Sequence, residues 1–171
     1  MRLSANWQIG LVAATVYAAD QLTKLAVLRL LSYSDQRIVV DGFFKFVHWG
    51  NTGAAFSMFY GNNGVLAFVS LAALVALLFT RRHFEIDHPL GRVAIGLILG
   101  GILGNLTDRI HLRHVTDFLY FYLQPRGGTE IGFPAFNVAD SAICFGVGLL
   151  FLLSFTNDKR PARPDMKTPV A

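Results

Sequence analysis

Four long apolar stretches are separated by polar or mixed segments along the chain. They run over about 7–31, 64–80, 93–109 and 138–155. Each approaches or exceeds the roughly 17–25 apolar residues that a membrane-crossing helix needs. Between the first and second stretches, Arg37-Ile-Val-Val-Asp-Gly-Phe-Phe-Lys-Phe-Val-His48 is β-branched and aromatic around an Asp41-Gly42 turn, which predicts a hairpin. Phe118-Leu-Tyr-Phe-Tyr-Leu123 predicts another strand, and Arg126-Gly-Gly-Thr129 a turn. The pattern therefore predicts a membrane α-helical protein of four transmembrane helices, with a small extracytoplasmic β-sheet packed on the outer side. Residues 1–156 would form a single membrane-embedded domain and 157–171 a cytoplasmic, disordered tail. The first stretch is too long for a signal peptide, and Asp20 and Lys24 interrupt it.

Composition sharpens this picture. Of 171 residues, 53% are hydrophobic and only 15% charged, against roughly 25% charged in a soluble domain. So few charges cannot coat a soluble globule, which argues against a nucleic-acid binder. The net charge of +4 is unevenly placed. Arg2, Arg81, Arg82, Arg92, Lys159, Arg160, Arg163 and Lys167 fall on one side of the spans; Arg37, Lys45, Arg113 and Arg126 fall on the other. The basic excess marks the cytoplasmic side, so both termini would be cytoplasmic and the 32–63 and 110–137 connections would face outward. Trp49, Tyr60, Tyr120 and Tyr122 fit an aromatic belt at the headgroups. The lone cysteine, Cys144, excludes an intramolecular disulfide and reads as a small buried hydrophobe.

Ionisable groups inside spans are costly and commonly functional. Asp20 lies 13 residues beyond Trp7, roughly 20 Å up a helix, in the outer part of a core about 30 Å thick. Lys24 follows at i+4, where it can pair with Asp20. Asn105, Asp108 and Arg109 end the third span, and Asp117 follows it. Asn137 and Asp140 begin the fourth. All fall near one level, the outer interface. Asp20–Lys24 has a simple reading as an intrahelical ion pair, Asp108–Arg109 as a helix end, and Asn137 as an N-cap. Asp140 has no basic residue in its helical neighbourhood, so a bland reading is weakest there. The five histidines show no metal-ligand spacing, and no metal or cofactor is expected. No nucleophile elbow or phosphate-cradling loop is present.

If Asp117 and Asp140 meet across a cleft, they cannot both ionise and must share a proton. One could then take a proton from water while the other polarises a peptide carbonyl, as in aspartic proteases. Paired acids could instead serve a proton relay, which would need polar residues through the inner half. A non-catalytic scaffold is the third reading.

Five segments resemble one family. Asp20-Gln-Leu-Thr-Lys24, Asn51-Thr-Gly-Ala-Ala-Phe56, Gly100-Gly-Ile-Leu-Gly-Asn-Leu-Thr-Asp-Arg109, Val115-Thr-Asp-Phe118 and Phe133-Pro-Ala-Phe-Asn-Val-Ala-Asp140 occur in the order found in bacterial lipoprotein signal peptidases (signal peptidase II), integral-membrane aspartic proteases. The resemblance implies that Asp117 and Asp140 form the catalytic dyad. It implies that Asp20, Lys24, Asn51, Gly101, Asn105, Arg109 and Asn137 shape and hydrogen-bond the substrate site. The implied substrate is a prolipoprotein whose cysteine carries diacylglycerol, cut just before that cysteine in the bacterial inner membrane by a monomer among lipids. The stretch Leu123–Gly132 looks longer than in the family. Asn51 to Tyr60, small and aromatic, could close over the substrate.

Overall fold

In a computed structural model the described residues are 4–53, 59, 61–81, 84, 88–126 and 128–157. Arg2, Arg82, His83, most of the 54–60 segment with Phe56 and Tyr60, Gly127 of the expected turn, and the basic tail with Lys159, Arg160, Arg163 and Lys167 lie outside them. Four helices and four strands follow in the order α1 (Ala5–Leu30), β1 (Gln36–Val40), β2 (Phe44–Asn51), α2 (Asn63–Thr80), α3 (Pro89–His111), β3 (Val115–Leu123), β4 (Ile131–Gly132) and α4 (Val138–Asn157). All four helices are long and apolar enough to cross a membrane.

The helices begin where their end chemistry allows. Ser4 Oγ accepts from Trp7 N at 3.4 Å and caps α1. Pro89 occupies the first turn of α3, where its missing N–H costs nothing. That start, four residues before the predicted one, brings Arg92 into the helix, where its guanidinium donates to Gln8 Oε1 at 3.0 Å. Asn137 Oδ1 accepts from Asp140 N at 2.9 Å, and Asp140 Oδ2 accepts from Asn137 N at 3.2 Å. This reciprocal pair is a capping box with Asp in the place usually taken by Glu.

Helix α3 is the buried centre, while α2 has no buried residue. Ile9 and Ala13 of α1 pack on Ile95 and Leu99 of α3. In lipid, helices gain little from simple apolar burial and associate through close backbone approach. The glycines supply it. A Cβ at Gly96 would meet the Val12 side chain at 2.6 Å, and one at Gly100 would meet the Ala13 carbonyl at 2.6 Å. On the opposite side a Cβ at Gly101 would meet the Ala139 carbonyl at 2.5 Å. Gly101→Leu is therefore expected to force α3 and α4 apart and destabilise the protein by about 1–3 kcal/mol or more, seen as a lowered Tm in detergent micelles. Side chains such as Phe68, Phe79 and Phe151 are exposed, as suits a lipid-facing surface.

The strands lie in the connections that follow α1 and α3, so they collect at one end of the bundle. They form one antiparallel order, β1-β2-β3-β4. The hairpin turn falls at Asp41–Phe43, with Gly42 at φ 72°, where a side chain would be strained. Thus the expected fold class, four apolar helices with a small sheet, is the fold observed. Two details differ. Tyr122 is buried and its hydroxyl accepts from Gly42 N at 3.1 Å, so it is no belt residue. Cys144 is exposed, not buried.

Candidate active site

A cavity of about 1110 Å³ opens between the sheet and the helix ends. Asn51, Asn105, Arg109, Asp117 and Asp140 line its polar part. Leu66 and Val69 of α2 and Ile143, Cys144 and Phe145 of α4 line an apolar part. Asp117 arrives on β3, paired opposite Trp49 of β2, and Asp140 arrives in the first turn of α4.

One residue, Asn137, contacts both aspartates. Asn137 Nδ2 donates to Asp117 Oδ1 at 2.9 Å, while its Oδ1 receives the Asp140 amide. The N-cap reading of Asn137 was therefore half of its role. Asn51 Nδ2 donates to Asp117 Oδ2 at 3.0 Å, and Asn105 Nδ2 donates to Asp140 Oδ1 at 2.7 Å. Each carboxylate is thus oriented by neutral amides, which hold its geometry without the full charge compensation an ammonium would bring. Burial, and then the neighbouring Asp140 charge, push the Asp117 carboxyl up to about 7, against the lowering effect of its amide donors. Arg109 also reaches the cavity. Its Nη2 donates to the Gly53 carbonyl at 3.3 Å, and its buried Nε has no partner among the described residues.

Behind the cavity wall lies a second polar layer. Lys24 Nζ meets Asp20 Oδ2 at 2.8 Å, Asp108 Oδ2 at 3.0 Å and Asn105 Oδ1 at 3.0 Å, so each of its three protons has an acceptor. Asp20 Oδ1 accepts from Ala139 N at 2.9 Å, placing a negative charge at the start of α4 where the helix dipole favours it. Asp108 Oδ2 accepts from Thr116 N at 3.0 Å, which fixes the start of β3 one residue before Asp117. Gln21 Nε2 lies 3.1 Å from Asp20 Oδ2 and 3.2 Å from Asp108 Oδ1.

The structure therefore brings the nine expected site residues to one end of the bundle, in two layers. Asn51, Asn105, Arg109, Asp117 and Asp140 face the cavity. Asp20, Lys24 and Asn137 stand behind it, and Gly101 sits at the α3–α4 contact. Sequence reasoning left Asp108 out of the site: it lies in the last turn of α3, is 4% exposed and is ion-paired to Lys24. Its position at i+3 from Asn105 on one helical face was the available signal. Gln21 and Thr116 were also missed. Among the described residues no His, Cys, Asp or Glu group could hold a metal.

Two acids lining one cavity at the end of four membrane-length apolar helices define the class: a membrane-integral protein with a polar cleft. Comparison with known proteins narrows this. The family described as "Signal peptidase (SPase) II" matches residues 12–156. The lipoprotein signal peptidase of Syntrophotalea carbinolica is 40% identical, covering 94% of this chain and 98% of that protein. That of Symbiobacterium thermophilum is 43% identical over 82% of this chain and 90% of its own. A solved bacterial membrane enzyme superposes with TM-score 0.70 at 29% identity, covering 94% of this chain and 93% of its own. The chain belongs to the signal peptidase II family. It is a protease of a bacterial membrane.

Proposed function

We propose that this enzyme removes the signal peptide from prolipoproteins whose cysteine carries diacylglycerol, cutting just before that cysteine. The observation that carries the reading is the bridging of Asp117 and Asp140 by Asn137 at the wall of a cavity lined by both polar and apolar side chains. The peptide bond would enter the polar part. The acyl chains would occupy the apolar wall between α2 and α4 and continue into the bilayer.

In this reading the two carboxyls share one proton. The ionised member takes a proton from a water that attacks the scissile carbonyl, and the protonated member gives its proton to the carbonyl oxygen. The tetrahedral diol then collapses: a diol hydroxyl returns its proton to the carboxylate that gave one, and the other carboxyl protonates the leaving nitrogen. The pair ends with one proton, as it began. Arg109, which lines the cavity, would donate to a substrate carbonyl; Asn51 and Asn105 hold the carboxylates in register. Asp20, Lys24 and Asn137 act as positioning residues, and Gly101 permits the α3–α4 contact that brings Asp140 to the cavity. The active site would face outward from the inner membrane, with both termini cytoplasmic, and a monomer suffices because one chain supplies every group.

The test is cleavage of a synthetic diacylglyceryl-cysteine peptide by the purified protein, with the Asp117→Asn and Asp140→Asn variants beside it. An unlipidated peptide cut equally well would remove the lipid from the proposal. The pH profile follows from Asp117. Its carboxyl lies near 7 rather than its ordinary 3.8, so the shared proton is held below neutrality and lost above it. Activity is expected to fall as pH rises through about 7. The stability sign is the same: a raised acid favours the folded state fully below its unfolded value near 3.8 and loses that contribution as pH rises through about 7. Tm in micelles should decline across that window, and the decline should flatten in Asp117→Asn.

A further inference from the structure

The sheet holds a buried charge that the active site does not use. Lys45 of β2 is 5% exposed, although its position among outward-facing basic residues gave no hint of burial. Its ammonium lies 3.0 and 2.8 Å from the two carboxylate oxygens of Glu130. It also lies 5.1 Å and 4.5 Å from the ring centroids of Tyr120 and Tyr122, which are stacked on one another. A buried ammonium is costly unless paired, and Glu130 is its ion-pair partner.

Glu130 belongs to the long stretch between β3 and the Phe133-Pro-Ala-Phe136 element. That stretch returns to the sheet through β4, which is only two residues long. Just beyond, Phe133 N donates to the Phe121 carbonyl at 2.9 Å, and Phe136 bridges Leu119. Residues 132–136 then form a wall of the active-site cavity. Tyr120 joins the two features. It lines the cavity, and a Cβ at Gly132 would collide with its ring and hydroxyl. Burial, and then the neighbouring Glu130 carboxylate, raise its hydroxyl above the usual phenol value.

We propose that Glu130, acting through Lys45 and Tyr120, is a positioning residue that fastens the 130–136 arm as a preformed cavity wall, so that substrate affinity rather than the chemical step depends on it. The inference rests on the peptidase reading of the cavity. The carboxyls themselves are held from elsewhere, by Asn51, Asn105 and Asn137. Loosening the arm therefore alters the surface the substrate chain meets and leaves the dyad geometry in place. A wall that must be ordered by the substrate consumes binding energy, which appears in KM when the interaction is equal in ground and transition states.

The experiment measures kcat and KM for the diacylglyceryl-cysteine peptide with the full-length parent, Glu130→Gln, Glu130→Asp, Lys45→Met and the double variant. Amide hydrogen exchange over 129–136 is followed in parallel. Glu130 is on the sheet's rim with its side chain 32% exposed, so its variants should fold. Glu130→Gln is expected to raise KM about tenfold with kcat within about twofold, and Glu130→Asp to restore part of the loss. The double variant should be no worse than Lys45→Met, because the two side chains act as one unit. Exchange over 129–136 should speed up in each impaired variant. A KM unchanged in Glu130→Gln, or a fall in kcat alone, overturns the proposal while leaving the peptidase reading intact. A parent that cleaves nothing sinks both.

Discussion

Asp117→Asn is expected to reduce cleavage of a diacylglyceryl-cysteine peptide by at least about 10³-fold, in the upper part of the range for loss of a positioned acid or base. The substitution keeps the shape of a side chain that is 4% exposed and removes its ability to carry the shared proton. Folding should survive. Above pH 7 the variant no longer buries an ionised acid beside Asp140, so its Tm should match or exceed the parent's. Asp140→Asn should lose activity to a similar degree, and the double variant should lose little more, because the carboxyls work as a pair. Single-turnover assays at equal protein concentration, with Tm as the folding control, measure this. Full cleavage by either single variant would reject the dyad.

The largest stability effect is expected at Lys24. Among the described residues its ammonium is the one cation paired directly with both Asp20 and Asp108, and all three residues are at most 4% exposed. Replacing a buried ion pair wholesale with apolar groups can be neutral, but removing one member leaves the other charges uncompensated. Lys24→Met strands two carboxylates and should destabilise the protein by about 3–5 kcal/mol, read as a large drop in Tm in micelles. Asp20→Ala should cost somewhat less. It leaves the ammonium with Asp108 and Asn105 but removes the acceptor of Ala139 N at the start of α4. Activity should fall as well, because Asp108 fixes Thr116 next to Asp117 and Ala139 precedes Asp140. If Lys24→Met folded and cleaved like the parent, the buried network would be ornamental.

Much of this arrangement was legible because membrane physics is one-dimensional. Span length, basic asymmetry and the level of each polar residue follow from counting along the chain, and those counts put Asp20, Asn105, Asp117 and Asp140 at one end. The Asp41-Gly42 hairpin was legible through its turn chemistry. Lateral partnerships were not. Lys24 pairs with Asp20 four residues away, which periodicity predicts, and also with Asp108 on another helix, which only the close α1–α3 packing decides. Lys45 was counted only as a connection charge, because its partner Glu130 lies 85 residues on. Cys144 was read as buried from its apolar surroundings, but in a bilayer protein an apolar run says nothing about which face meets protein and which meets lipid or a cleft.

The saturation of Lys24 bears on the membrane's energetics. An ammonium whose three protons already have acceptors offers no vacant step to a hopping proton, and α1 and α3 pack closely at Gly96 and Gly100. Under the proposed reading the two acids would exchange protons with the solution through the cavity they line. Each catalytic cycle would then borrow and return its hydrogen ion there, and an energised bilayer would host such a hydrolase without being short-circuited through it.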